Sequence, residues 1–84
     1  MIEISIQVNS IFEPTSAALL VQKASQYKSR ISLVSEEKTA NAKSIMGIIS
    51  LNLRGGNTVK LVADGEDEQQ AIPEIEHILR DAVV

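Results

Sequence analysis

The sequence predicts an α+β two-layer sandwich, a four-stranded antiparallel sheet covered on one face by three helices. Three observations carry that expectation. Short segments alternate apolar and polar residues, longer ones repeat apolar residues every three or four positions, and the two patterns follow one another in the order β-α-β-β-α-β-α. A length of 84 residues predicts one domain spanning 1–84.

Ile2, Ile4, Ile6 and Val8 alternate with Glu3, Ser5, Gln7 and Asn9, the period of two that a strand with one buried face requires. Asn9 to Glu13 reads as a loop. Pro14 then suits the first turn of a helix, where its missing N–H has no partner to lose. Ala17, Leu20, Val21, Ala24 and Tyr27 form that helix's apolar stripe, which ends near Lys28. Ile31 and Leu33 mark a second strand, Ser35-Glu36-Glu37-Lys38 a turn, and Thr39 to Ala42 a strand returning as a hairpin.

Ser44 is a natural N-cap for a short helix with Ile45 to Leu51 as its body. Arg54-Gly55-Gly56-Asn57 is a turn, and Thr58 to Ala63 alternates again as a strand. Gly65 or Asp67 introduces the last helix, whose apolar positions are Ala71, Ile72, Ile75, Ile78, Leu79 and Ala82. Pro73 resists a straight reading of it, because an interior proline loses a hydrogen bond and crowds the preceding turn. The expected remedy is a later start or a kink, with Glu66 to Gln70 as a separate turn.

Composition narrows the function. There is no cysteine, which excludes disulfides, thiolate nucleophiles and cysteine-ligated metals, and the lone His77 cannot build a multi-histidine site. No metal or other cofactor is implied. Residues 1–62 hold seven bases against four acids, whereas residues 63–84 hold one base against seven acids. That acidic end, with only Phe12 and Tyr27 available for stacking, argues against direct nucleic-acid binding. The opening Met-Ile-Glu-Ile-Ser-Ile has neither a basic start nor an unbroken apolar run, so no secretory signal or membrane span is expected and a cytoplasmic location is.

Asn41-Ala42-Lys43-Ser44-Ile45-Met46-Gly47 with Ser50-Leu51, Ala24-Ser25-Gln26-Tyr27 and Asp64-Gly65-Glu66-Asp67-Glu68 carry a further signal. Nearly the whole chain resembles the HPr family, the histidine-containing phosphocarrier proteins of the bacterial sugar phosphotransferase system, and especially its regulatory Crh branch, which lacks the carrier histidine. The resemblance implies two sites. One is a phosphoryl-carrying histidine at the start of the first helix, within Gly-Ile-His-Ala-Arg-Pro. The other is a serine phosphorylated by an ATP-dependent kinase, matched here by Ser44.

The carrier site departs from the family. Ungapped counting back from Leu20-Val21-Gln22 puts Glu13 at the histidine position and Pro14, Thr15 and Ser16 at those of alanine, arginine and proline. Histidine and arginine are both gone, and Pro14 removes an amide that could hold an anion. Glu13 reads as a solvated loop carboxylate or as a fixed negative charge resembling phosphohistidine; acyl-phosphate transfer through it lacks the accompanying cation. His77 lies within the last helix, away from any helix N-terminus. The chain is therefore expected not to be an enzyme or a working carrier.

Ser44 is expected to cap its helix and, by resemblance, to accept a regulatory phosphate. Ile48 and Leu51 can face the sheet, which leaves Ile45, Met46 and Ile49 as a partner-binding patch matching the family's docking surface, unless all five are core. The resemblance implies HPr kinase/phosphorylase and a LacI-type regulator of carbon catabolite control as partners, with Thr15 in place of an arginine that contributes to regulator binding. The alternative is a phosphorylation-independent module that uses Glu13 as a fixed charge and binds a transport or metabolic protein.

Overall fold

A computed structural model describes residues 1–8, 14–53 and 55–81, with the side chains of Pro14 and Asp81 excepted. Its elements are β1 (Ile2–Gln7), α1 (Pro14–Ala24), β2 (Arg30–Ser35), β3 (Lys38–Asn41), α2 (Ile45–Ser50), β4 (Thr58–Asp64) and α3 (Glu68–Asp81). The strands form one sheet in the order β1-β4-β2-β3, with every neighbouring pair antiparallel.

Register follows the apolar alternation. Leu61 at the centre of β4 stands opposite Ile4 of β1 and Leu33 of β2, and Leu33 stands opposite Ala40 of β3. Their side chains therefore share one face, since a slip of one residue would turn every apolar group outward. Ile6, Val8, Ile31, Leu33, Val59, Leu61 and Ala63 are buried there beneath Ala17, Leu20 and Ala24 of α1, Ile48 of α2, and Ala71, Ile75, Ile78 and Leu79 of α3. Val21 of α1 and Tyr27, beyond its end, pack against this core from half-buried positions. The opposite face carries exposed Glu3, Ser5, Gln7, Lys60 and Asp64.

Three expectations need correction. The first helix stops at Ala24 rather than near Lys28. After it, the amides of Gln26 and Tyr27 bond three residues back, to Lys23 and Ala24, and those of Lys28 and Ser29 leave the helix for the Asp67 carboxylate. The second β-hairpin strand begins at Lys38 and ends at Asn41, so Glu36-Glu37 alone make its loop; Ala42 follows it, buried, with its amide on the Ile31 carbonyl.

The third correction concerns Pro73. The helix starts at Glu68 and runs through Pro73 as its sixth residue, so the later start with 66–70 as a separate turn is not what forms; residues 66–67 lead directly into the helix. The amide that proline lacks would have reached the Gln69 carbonyl, and both residues are exposed, so water can serve that oxygen. The buried Ala71, Ile72, Ile75, Ile78 and Leu79 hold the helix from its other face. Asn9 to Glu13, Arg54 and Ala82 lie outside the described residues.

Candidate functional site

The chain leaves β3 at Asn41, whose Oδ1 accepts a hydrogen bond from the Lys43 amide at 2.8 Å. Its carbonyl accepts one from the Ser44 amide at 3.0 Å. This tight turn delivers Ser44 in an extended conformation, φ −115° and ψ 113°, immediately before α2. The Ser44 Oγ then accepts from the Gly47 amide at 3.2 Å, and its carbonyl from the Ile48 amide at 3.0 Å. Ser44 is thus the N-cap of α2 and is half-buried. The helix has no acidic residue in its first turn, so its free amides face no fixed negative charge of their own.

The large apolar residues of α2 and its C-cap divide sharply. Ile48 is 1 % exposed and Leu51, its C-cap, is buried, whereas Ile45, Met46 and Ile49 are 36, 74 and 53 % exposed. A contiguous apolar surface thus lies on the same short helix that Ser44 caps. A Cβ at Gly47 would meet Ala40 and Ser44 at 3.5 Å, an ordinary contact, so packing does not demand glycine there.

Lys43 ties this turn to the one after α1, its Nζ donating to the Tyr27 carbonyl at 2.7 Å. That second turn is clamped by Asp67, whose carboxylate accepts from the Lys28 amide at 2.7 Å, the Ser29 amide at 2.9 Å and the Ser29 hydroxyl. These bonds, the Ser29 hydroxyl foremost and the Lys28 amide next, hold the Asp67 carboxyl below its usual range. Glu68 is lowered as well, first by the Gly65 amide at 3.0 Å and then by the amino group of Met1. Burial, followed by the charges of Glu74 and Asp67, pushes the Tyr27 hydroxyl up. Gly65 packs against Ser29 so closely that a Cβ would lie 2.6 Å from the Ser29 Cα. Sequence reasoning missed this clasp, because the partners stand 38 and 39 residues apart and no local pattern links them.

Glu13 lies outside the described residues. Thr15 is exposed in the first turn of α1, and Ser16 is buried. His77 is exposed on α3, on the helix that carries the Arg80–Glu76 ion pair at 2.9 Å. The structure therefore puts Ser44, Ile45, Met46 and Ile49 together and leaves His77 on a different element. Among the described residues, no group of three or more His, Asp or Glu side chains is placed to hold a metal, and no helix is long and apolar enough to cross a membrane.

Comparison with known proteins places this geometry among relatives. Residues 3–81 match the family model described as the PTS HPr component phosphorylation site. The HPr-like protein Crh of Bacillus subtilis is 36% identical over 81 residues, covering 96% of this chain and 95% of that one. The solved structure of HPr-C-His from Thermoanaerobacter tengcongensis superposes with a TM-score of 0.89 at 42% identity, covering 94% of this chain and 91% of that one. A crystal structure of Bacillus subtilis Crh, described as a domain-swapped, intertwined dimer, has a TM-score of 0.79 at 36% identity and covers all of this chain and 94% of that one.

Proposed function

This chain belongs to the PTS-HPr family, and from that premise we propose that it is a regulatory member without phosphocarrier activity, switched by phosphorylation of Ser44. The observation that carries the reading is the pairing of a helix-capping serine with an apolar surface on one six-residue helix. A phosphoryl group on the Ser44 Oγ adds a charge of about −1.5 to −2 at neutral pH. It would stand where α2 presents its free amides and where the first turn of the helix carries no carboxylate to compete. Exposed Ile45, Met46 and Ile49 then supply apolar contact area, and the phosphate supplies control over when that area is used.

Similarity to Crh supports HPr kinase/phosphorylase as the enzyme acting on Ser44 and a LacI-type regulator of carbon catabolite control as the partner of the phosphorylated form. Thr15, standing where the family has arginine, removes one cation from that contact. The carrier reaction is disfavoured by the same stretch: Glu13 replaces the imidazole nucleophile and Pro14 removes an amide from the helix start. The chain needs no cofactor in this reading, and its location is the cytoplasm.

Two assays test it. Phosphoenolpyruvate and the general phosphotransferase enzyme should leave the mass of the protein unchanged; an adduct on Glu13 or His77 would overturn the loss of carrier activity. Calorimetry with a purified LacI-type catabolite regulator should detect binding only after treatment with ATP and HPr kinase, and Ile49→Ser should weaken it. Equal binding before and after treatment would overturn the switch.

A further inference from the structure

On the polar face of the sheet, at the end where β2 begins and β4 ends, Lys28, Arg30, Asn41, Lys43 and Asp64 line an open groove of about 540 Å³. Three of the eight lysines and arginines meet there, in a chain whose net charge is −3. Arg30 and Asp64 are cross-strand partners, with the buried Ile31 and Ala63 next to them in register. Among the described residues, however, neither Arg30 nor Asp64 makes an ion pair or a side-chain hydrogen bond. Both charges are presented to the groove and not spent on each other.

The other members are aimed by bonds already described. The Asn41 Oδ1 is held by the Lys43 amide, which leaves its NH₂ as the end available to a ligand. The Lys43 Nζ gives one of its three hydrogens to the Tyr27 carbonyl, which fixes the ammonium at the groove with two still to donate. Lys28 is partly drawn to Glu66, 3.2 Å away on the rim. The lining thus offers cationic and amide donors together with one carboxylate acceptor.

We propose that this groove binds a small phosphate monoester bearing free hydroxyl groups. Arg30 and Lys43 take the phosphate oxygens with Asn41 as a neutral donor, and Asp64 accepts hydrogen bonds from the hydroxyls. A bare phosphate leaves Asp64 opposed to like charge, so the ester binds better than the ion. This site uses neither the Ser44 hydroxyl nor the apolar surface of α2, and it stands or falls separately from the reading above.

The test is a titration of the ¹⁵N-labelled protein with ribose 5-phosphate, inorganic phosphate and ribose, followed by amide chemical shifts. Ribose 5-phosphate should give saturating shifts at residues 28–30, 41–43 and 64–65 in the millimolar range; inorganic phosphate should bind more weakly at the same amides, and ribose should give none. Arg30→Gln, an exposed replacement compatible with folding, should weaken the ester about threefold to fivefold, as expected for one solvent-exposed ion pair. Asp64→Asn should abolish the preference for ester over ion. Lys38→Gln, about 10 Å from Asn41 at the other end of β3, should change nothing. Shifts that do not saturate, shifts centred elsewhere, or an equal loss in Lys38→Gln and Arg30→Gln would overturn the proposal.

Discussion

Truncating the two neighbouring isoleucines of α2 in turn should give opposite results, although both substitutions remove the same atoms. Ile48 is 1 % exposed and belongs to the core between helices and sheet. Ile48→Ala therefore loses its transfer free energy and leaves a cavity, at a cost of about 2–5 kcal/mol. Ile49 is 53 % exposed, so roughly half of the about 1.5–3 kcal/mol for burying such a side chain is at stake. Alanine's higher helix propensity returns up to about 0.7 kcal/mol of that, leaving a net change within about 1 kcal/mol. Equilibrium urea unfolding reads the difference directly: with a slope of about 1 kcal/mol per molar, the Ile48→Ala midpoint falls by about 2 M or more and the Ile49→Ala midpoint by about 1 M or less. Equal losses, or a larger loss at Ile49, would refute the assignment of Ile49 to an exposed surface and with it the apolar patch.

Other perturbations probe the frame around the site. Gly47→Ala should raise stability by about 0.5–1 kcal/mol in the same urea assay, since the added methyl meets only ordinary contacts and helix entropy favours alanine. Gly65→Ala should lower it by about 1–3 kcal/mol, because the new Cβ would sit 2.6 Å from the Ser29 Cα and push the clasped turn away. Asp67 and Glu68 both have carboxyl pKa values lowered by folding, so the unfolded chain binds more protons in acid. Their stabilisation is complete above the unfolded values of about 4 and is lost as pH falls through the lower folded ones. Thermal melts followed from neutral pH to below pH 4 should decline in that window for the native protein and less steeply for Asp67→Asn.

Much of this architecture was legible in local periodicity. Ile2, Ile4 and Ile6 alternate because one face of β1 meets the helices, and Ala71, Ile72, Ile75, Ile78 and Leu79 recur because one face of α3 meets the sheet. The division of α2 was legible in part: helical spacing separates Ile48 and Leu51 from Ile45, Met46 and Ile49, but only the packed fold decides against all five being core. The start of α3 was misplaced because the cost of a helical proline depends on whether the orphaned carbonyl reaches water, which sequence does not record. The true end of α1 was hidden for a related reason: Asp67 competes for the Lys28 and Ser29 amides from across the fold. Lys28, Arg30, Lys43 and Asp64 were visible as charges, but only the pairing of β2 with β4 and the turn held by Asn41 make them neighbours.

The most direct test of a regulatory role is the mass of the intact protein after incubation with ATP and an HPr kinase from a Gram-positive bacterium, with the modified residue mapped. One phosphate should appear, on Ser44, and Ser44→Ala should remain unmodified. Folding stability should stay level or rise slightly, since about 0.3–1 kcal/mol from the helix dipole offsets the loss of the hydroxyl cap. A folded protein that takes up no phosphate, or takes it up elsewhere, would contradict the account and leave Ser44 as the N-cap of α2 alone.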